Sequence, residues 1–190
     1  MKTLIIGGVA AGASCAARLR RLDEKAEIVL LERGPYISYA NCGLPYHIGD
    51  VIKSRDALLV TKKETMEDRF KVDVRTESEA LSIDRENKTV RIRDRGEGRE
   101  YDESYDKLII ATGSSPLRPP IPGIDSEKIT TLWTVPDTNM IRGMIREHGA
   151  GSAVVVGGGF IGLETAENLN HAGLKVSLVE AMDQVMAPLD

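Results

Sequence analysis

Val154-Val155-Val156-Gly157-Gly158-Gly159-Phe160-Ile161-Gly162 is the stretch on which the reading of this chain turns. An apolar run enters a cluster of glycines, and the spacing predicts a parallel strand, a tight turn and then a helix. Gly157 permits the turn. Gly159 lets a pyrophosphate approach the backbone. Gly162 lets the helix sit close to the strand, with its N–H groups facing the phosphates. A second strand, Val176-Ser177-Leu178-Val179, ends at Glu180, eighteen residues beyond Gly162. A carboxylate there accepts hydrogen bonds from both ribose hydroxyls and repels a 2′-phosphate. No arginine follows it closely, so NADH is favoured over NADPH.

The same unit occurs once before, and it is the only internal repeat. Leu4-Ile5-Ile6-Gly7-Gly8-Val9-Ala10-Ala11-Gly12 is followed by Ile28-Val29-Leu30-Leu31-Glu32. Gly7 and Gly12 keep the pattern, but Val9 holds the middle glycine position. A β-branched residue there should hold phosphates slightly further away. Glu32, twenty residues beyond Gly12, restores much of the signature.

Composition sets broad bounds. A length of 190 residues allows one or two domains, and a net charge of −4 argues against general nucleic-acid binding. Two cysteines, Cys15 and Cys42, in unlike contexts fit a reducing compartment better than a disulfide scaffold. With no leader pattern and no apolar run of membrane-spanning length, the expectation is a cytoplasmic protein with no membrane partner. The chain stops just past the second strand of the second unit, which suggests a piece of a longer protein, since a doubly wound sheet needs more strands.

Between the two units, residues 4–6 read as a buried parallel strand, 11–22 as a helix and 27–32 as a strand. Residues 34–52 read as loop, 63–71 as a helix, and 72–106 as a half-exposed antiparallel meander. Residues 108–111 read as another buried strand. The four prolines between Ser114 and Gly123 make an extended connector, and 137–147 reads as a helix closed by Gly149.

Cys42 lies in Ser38-Tyr39-Ala40-Asn41-Cys42-Gly43-Leu44-Pro45-Tyr46. If a helix begins after Gly43, its N–H groups favour a thiolate. Ser38 and Asn41 are candidates to orient the thiol or its substrate. Cys15, in a small-residue helix, reads as structural. Arg18, Arg20, Arg21, Arg69 and Lys71 are candidate phosphate contacts, although surface charge is usually just solvated. His47 reads as local packing rather than as a proton donor, and neither His148 nor His171 has metal-ligand spacing.

The motif order resembles the FAD-dependent pyridine nucleotide–disulfide oxidoreductases over the whole chain. It runs from the first glycine turn and Glu32, through Tyr105-Asp106-Lys107-Leu108-Ile109-Ile110-Ala111-Thr112-Gly113, to Gly157–Gly162 with Leu163 and Glu164. The resemblance implies an α/β fold: a Rossmann-like FAD-binding domain with an antiparallel meander over 1–148, then the start of a second Rossmann-like domain for NAD(P)H over 149–190. It implies FAD contacts at Gly7, Gly8, Val9, Ala10, Ala11, Gly12, Glu32, Arg33, Asn41, Cys42, Ala111, Thr112 and Gly113. NADH contacts would fall at Gly157, Gly159, Ile161, Gly162, Glu164 and Glu180, with Glu164 near the nicotinamide. The single cysteine is similar to the subgroup of coenzyme A-disulfide reductases, persulfide reductases, NADH oxidases and NADH peroxidases. The wording around Cys42, and Ala10 where oxidases and peroxidases tend to carry histidine, are most similar to the coenzyme A-disulfide reductase branch. There Cys42 would be the catalytic thiol, with Ser38, Asn41 and Arg21 at the substrate, a small-molecule disulfide or persulfide, in a homodimer. The alternatives are an oxidase or peroxidase cycling through a Cys42 sulfenic acid, and a non-enzymatic nucleotide-binding or redox-sensing module.

Overall fold

Strand formation at the N-terminus follows from apolar side chains on both faces. A computed structural model describes residues 1–187; Pro188 to Asp190, the end of the 149–190 stretch, lie outside the described residues. In chain order the elements are β1 (Lys2–Ile6), α1 (Ala10–Leu22), β2 (Glu27–Leu31), α2 (Leu44–Ile48), α3 (Lys63–Phe70), β3 (Asp73–Arg75), β4 (Ser78–Asp84), β5 (Thr89–Asp94), β6 (Glu100–Ser104), β7 (Lys107–Ile110), α4 (Val135–Arg146), β8 (Ser152–Val156), α5 (Phe160–His171) and β9 (Lys175–Val179). Short 3-10 turns lie at Asn41–Gly43 and Arg55–Leu58. Two compact units result: Met1–Tyr39 with Leu59–Ser114, and Ala40–Leu58 with the stretch from Ser115 onward. This is a division by packing and differs from the boundary expected after residue 148.

The first unit has three layers. Its parallel sheet runs in the order β3-β2-β1-β7, with Leu4 opposite Val29 and Leu108, and Ile5 opposite Leu30 and Ile109. Ile5, Ile28 and Leu30 pack with Ala13 and Ala16 of α1 and Met66 of α3. Leu4, Ile6, Val29 and Leu31 point the other way, onto Val90 and Ile92 of the antiparallel β4-β5-β6 sheet. Burial on both faces is why β1 and β2 read as unbroken apolar runs. Each such side chain contributes about 1.5–3 kcal/mol relative to an exposed one. A charged cluster closes the edge of these layers. Glu103 accepts from Lys2 and Arg75, and Arg75 also pairs with Asp73 at 2.6 Å. Burial pushes the Glu103 carboxyl up, but the hydrogen bonds from Lys2 and Arg75 hold it below the usual range.

In the second unit β8 and β9 pair in parallel, Val155 opposite Leu178. One face packs into a cluster with Ile141, Ile145, Leu169, Leu174 and Ile48. On the other face Val154, Val156 and Val179 are exposed by 66%, 78% and 51%. The sheet alternates accordingly instead of being covered on both sides.

Several expectations need correction. Residues 34–52 are not all loop: the helical stretch Asn41–Ile48 is seeded by Pro45 near the start of α2 and by burial of Leu44, His47 and Ile48. Residues 73–75 leave the meander and extend the parallel sheet beside β2, because Val74 is buried in the helix-facing cluster. Strand β7 is an edge strand, and Ile110 is 62% exposed rather than buried. The helix read at 137–147 begins at Val135, since Thr134 and Asp137 form a reciprocal capping box. The helix read at 63–71 ends at Phe70, with Lys71 left-handed at φ 50°. The connector around residues 114–120 carries no regular structure.

Glycine geometry gives the first test. A Cβ on Gly12 would lie 1.7 Å from the Gly7 carbonyl oxygen, a backbone atom that cannot step aside. A Cβ on Gly159 would meet nothing within 4 Å. We expect Gly12→Ala to destabilise the chain by about 3 kcal/mol or more, and Gly159→Ala by about 1 kcal/mol or less, in urea unfolding. Equal costs would contradict the close approach of α1 to its turn.

Candidate functional site

Both glycine turns are built from the same few bonds. The Gly7 N–H donates to the Leu31 carbonyl at 2.8 Å, and the Gly157 N–H donates to the Val179 carbonyl at 2.8 Å. These bonds carry each first strand past its end onto the neighbouring strand. Gly7 and Gly157 take φ of 102° and 104°, which suits a residue without a side chain. The third glycine has the same role in each: a Cβ on Gly162 would stand 1.9 Å from the Gly157 carbonyl oxygen. Its purpose is contact with the turn itself, more than with the strand.

The two acids close the turns. Glu32 accepts from the Gly8 N–H at 2.8 Å and from the Gly34 N–H at 2.8 Å. Glu180 accepts from the Gly158 N–H at 2.6 Å, and from those of Ala181 and Met182 at 2.7 and 2.9 Å. These three backbone donors hold the Glu180 carboxyl below the usual carboxylate range. A carboxylate has about four acceptor positions, so each acid keeps capacity for a ribose hydroxyl. Even the return of the chain is repeated: Ser38 N–H donates to Gly8 O at 2.9 Å, and Met186 N–H to Gly158 O at 2.8 Å.

In the first unit the turn also meets the segment after β7. A Cβ on Gly7 would fall 2.2 Å from the Ala111 carbonyl oxygen, so Ala111, Thr112 and Gly113 begin directly beside the turn. Gly7, Gly8, Val9, Glu32 and Ala111 therefore adjoin at the carboxyl ends of β1, β2 and β7, with Gly12 buried against the turn. Ala10 and Ala11 open α1 and are exposed, as is Arg33 beyond Glu32. Glycine turn, spare acid acceptors and helix N-terminus together fit a dinucleotide. In the second unit the positions beyond Gly157 and Gly159 are open to 4 Å, and Phe160 and Ile161 are exposed at the start of α5. That surface fits a second dinucleotide.

Cys42 is a free, exposed thiol on the 3-10 turn Asn41–Gly43, and Asn41 is exposed beside it. It belongs to the unit that holds the second glycine turn, whereas Ser38, left-handed at φ 45°, belongs to the first. The helical stretch carrying Cys42 is held by its neighbours. A Cβ on Gly49 would fall 2.5 Å from Asn168 Oδ1, so α2 ends in close contact with α5. Arg142 donates to the His47 carbonyl, and Arg146 pairs with Asp50 at 2.6 Å. His47 is buried, with Nδ1 2.6 Å from the Ile52 carbonyl. Tyr46 Oη lies 3.4 Å from Glu164 Oε1, a contact the motif reading missed.

Of the candidate phosphate contacts, Arg20 is fully engaged. It donates to the carbonyls of Phe70, Asp23, Glu24 and Lys71 and so ties the ends of α1 and α3 together. Arg69 stacks near Phe70 at 5.9 Å. Arg18 and Arg21 are exposed on α1. Cys15 is half-buried on the same helix. Among the described residues no three His, Cys, Asp or Glu side chains gather as a metal site, and no helix is long and apolar enough to cross a membrane.

A family model described as pyridine nucleotide-disulphide oxidoreductase matches residues 1–190. Coenzyme A disulfide reductase of Staphylococcus aureus (strain NCTC 8325 / PS 47) is 36% identical over 189 residues, covering 100% of this chain and 42% of that protein. The crystal structure of reduced Bacillus anthracis CoADR-RHD superposes with a TM-score of 0.97 at 50% identity, covering 100% of this chain and 34% of the other. The NAD-dependent persulfide reductase from A. fulgidus gives 0.94 at 41% identity, covering 98% and 35%. The chain thus spans less than half the length of the relatives it matches.

The Glu180 geometry carries a pH dependence. A carboxyl held low in the folded state stabilises it above the ordinary carboxylate range, and that contribution is lost as pH falls through the depressed value. We expect Glu180→Gln to flatten part of the acid limb of a stability-against-pH curve while changing little at the acid extreme. An unchanged acid limb would show that the three backbone donors do not hold the charge.

Proposed function

The chain belongs to the pyridine nucleotide-disulphide oxidoreductase family, and on that premise we propose that it forms the FAD-binding domain, residues 1–148, and the first part of the NADH-binding domain, 149–190, of a reductase acting on small-molecule disulfides or persulfides. Coenzyme A disulfide is the substrate we favour, and the complete enzyme would be a cytoplasmic homodimer. The single observation that carries the reading is Cys42: free, exposed and flanked by its own helical scaffold, in a chain with two dinucleotide turns.

Gly7, Gly8, Val9, Ala10, Ala11 and Gly12 would line the flavin nucleotide's pyrophosphate, with Glu32 on its ribose, Arg33 beside it, and Ala111 to Gly113 along its length. Asn41 and Cys42 would be further flavin contacts. Gly157, Gly159, Ile161 and Gly162 would hold the NADH pyrophosphate, Glu180 its adenosine ribose, and Glu164 would stand near the nicotinamide. When bound, the flavin supplies two-electron transfer between nicotinamide and sulfur. The Cys42 thiolate attacks one sulfur of a disulfide, forming a mixed disulfide and releasing one thiolate. Two electrons from NADH then cleave that mixed disulfide, releasing the second thiol and restoring the Cys42 thiolate. The sum is one NADH and one proton consumed for two thiols formed. Ser38 and Asn41 would orient the substrate, and exposed Arg21 would meet its phosphates. Arg20, committed to four carbonyls, is not available for that task.

Two mutants set the cysteines against each other. In the complete enzyme Cys42→Ser should lower disulfide turnover on the order of a thousandfold while FAD stays bound and reducible by NADH. Cys15→Ser should leave turnover within about twofold and cost about 1 kcal/mol of stability. Near-parent turnover in Cys42→Ser overturns the proposal. The nicotinamide preference gives a separate check: Glu180→Ala should reduce the ratio of kcat/KM for NADH over NADPH by about tenfold or more.

A further inference from the structure

We propose that Tyr46 is a positioning residue that fastens the Cys42 segment to Glu164 and thereby sets the rate at which NADH reduces the enzyme. The inference rests on the preceding reading for the placement of NADH, and on four observations for the rest.

The first is helical geometry. The 3-10 turn at Asn41–Gly43 runs without a break into α2, with Gly43 and Leu44 both in the right-handed helical region. Residues four apart on such a stretch share a face, so Cys42 and Tyr46 stand on one side of it. The second is the contact across helices. The Tyr46 phenol lies 3.4 Å from Glu164 Oε1, at the long end of hydrogen-bond range, and the phenol is the donor. The third is rigidity. Asn168, one turn beyond Glu164, is buried, donates to the Glu164 carbonyl at 2.8 Å and packs against Gly49 at the end of α2. The spacing of the two helices is thereby fixed on the side where Tyr46 and Glu164 meet. The fourth is position along the ligand path. Glu180 marks the adenosine end of a dinucleotide lying on the second glycine turn, so the other half leaves along the start of α5, where Glu164 stands.

The charges around the phenol agree with this geometry. Glu164 is the largest influence, followed by burial, with Glu167 and Cys42 also contributing; each opposes ionisation and raises the phenol above the ordinary tyrosine range. Of the other nearby groups, His47 is turned to the Ile52 carbonyl, and Arg142 and Arg146 to Asp50. A raised value means that Tyr46 stays a donor at neutral and mildly alkaline pH, and the pair is lost only as pH climbs through that value. Glu164 is thus held in one orientation by a neutral donor. A lysine in the same place would neutralise it.

Two measurements test this. In the 190-residue chain, the difference in ultraviolet phenolate titration between the parent and Tyr46→Phe should show one phenol titrating above the ordinary range, and Glu164→Gln should move that phenol down. In the complete FAD-loaded enzyme, Tyr46→Phe should slow anaerobic flavin reduction by NADH about tenfold and leave the reaction of pre-reduced enzyme with disulfide within about twofold. The slowing should not multiply with that of Glu164→Gln, since both variants break one pair. Flavin reduction at the parent rate in Tyr46→Phe, multiplying effects, or an ordinary Tyr46 titration overturns the proposal. If the parent enzyme itself is not reduced by NADH, the functional reading falls with it; if the parent is reduced and Tyr46→Phe is equally fast, only this inference falls.

Discussion

The close approach of a helix to the turn that precedes it is the constraint on which the rest depends. Gly12 sits so near the Gly7 carbonyl, and Gly162 so near the Gly157 carbonyl, that no side chain fits at either position. That approach aims the first N–H groups of α1 and α5 past the strand ends, where an anion can reach them. It also brings the second N–H of each turn within 2.6–2.8 Å of an acid on the next strand. Glu32 and Glu180 therefore do two things at once: they complete a backbone turn and offer the remaining acceptor positions to a ligand. The duplication extends to the returning chain, where Ser38 and Met186 donate to equivalent glycine carbonyls. Such matching detail in two separate units follows from one geometric requirement met twice.

Much of this was legible in the sequence because the signals are local. Apolar runs buried on both faces, glycines with single tasks and acids at fixed distances need no knowledge of distant partners. The departures arose where a distant partner decided the outcome. Val74 has the alternation of a meander strand, yet a vacant sheet edge beside β2 takes it. Ile110 has the composition of a buried strand, yet it stands on the outer edge of the sheet and is exposed. The stretch around Cys42 is rich in turn formers, and its helix exists because Leu44, His47 and Ile48 find cover. Val9 shows the opposite lesson. It breaks the glycine pattern without disturbing the turn, because the middle position is open, as a Cβ on the equivalent Gly159 would meet nothing within 4 Å, whereas Gly162 is pressed on the Gly157 carbonyl. The glycines and acids that build the two turns were readable from spacing. Tyr46 was not, because its partner lies on a helix whose placement depends on tertiary packing.

The thiol's support comes from an unexpected direction in sequence. The turn that carries it leads into α2, and it is residues 46–50 that meet Arg142, Arg146, Glu164 and Asn168. A helix of five residues has little stability by itself. What gives the Cys42 turn a defined shape is the close fit of Gly49 on Asn168 and the arginines that grip its carbonyl and Asp50. The Cys42 turn, leading into so short a helix, inherits its rigidity from α4 and α5.

That inheritance has a consequence for how the protein is made. Tyr46 and Glu164 are 118 residues apart in the chain. At ribosomal speeds of about 5–20 residues per second, the second partner is synthesised on the order of ten seconds after the first. Throughout that interval the Cys42 segment has been translated while the helices that shape it have not. The nascent thiol is then an ordinary, unstructured cysteine. Its surroundings are completed late, once α4 and α5 have been made.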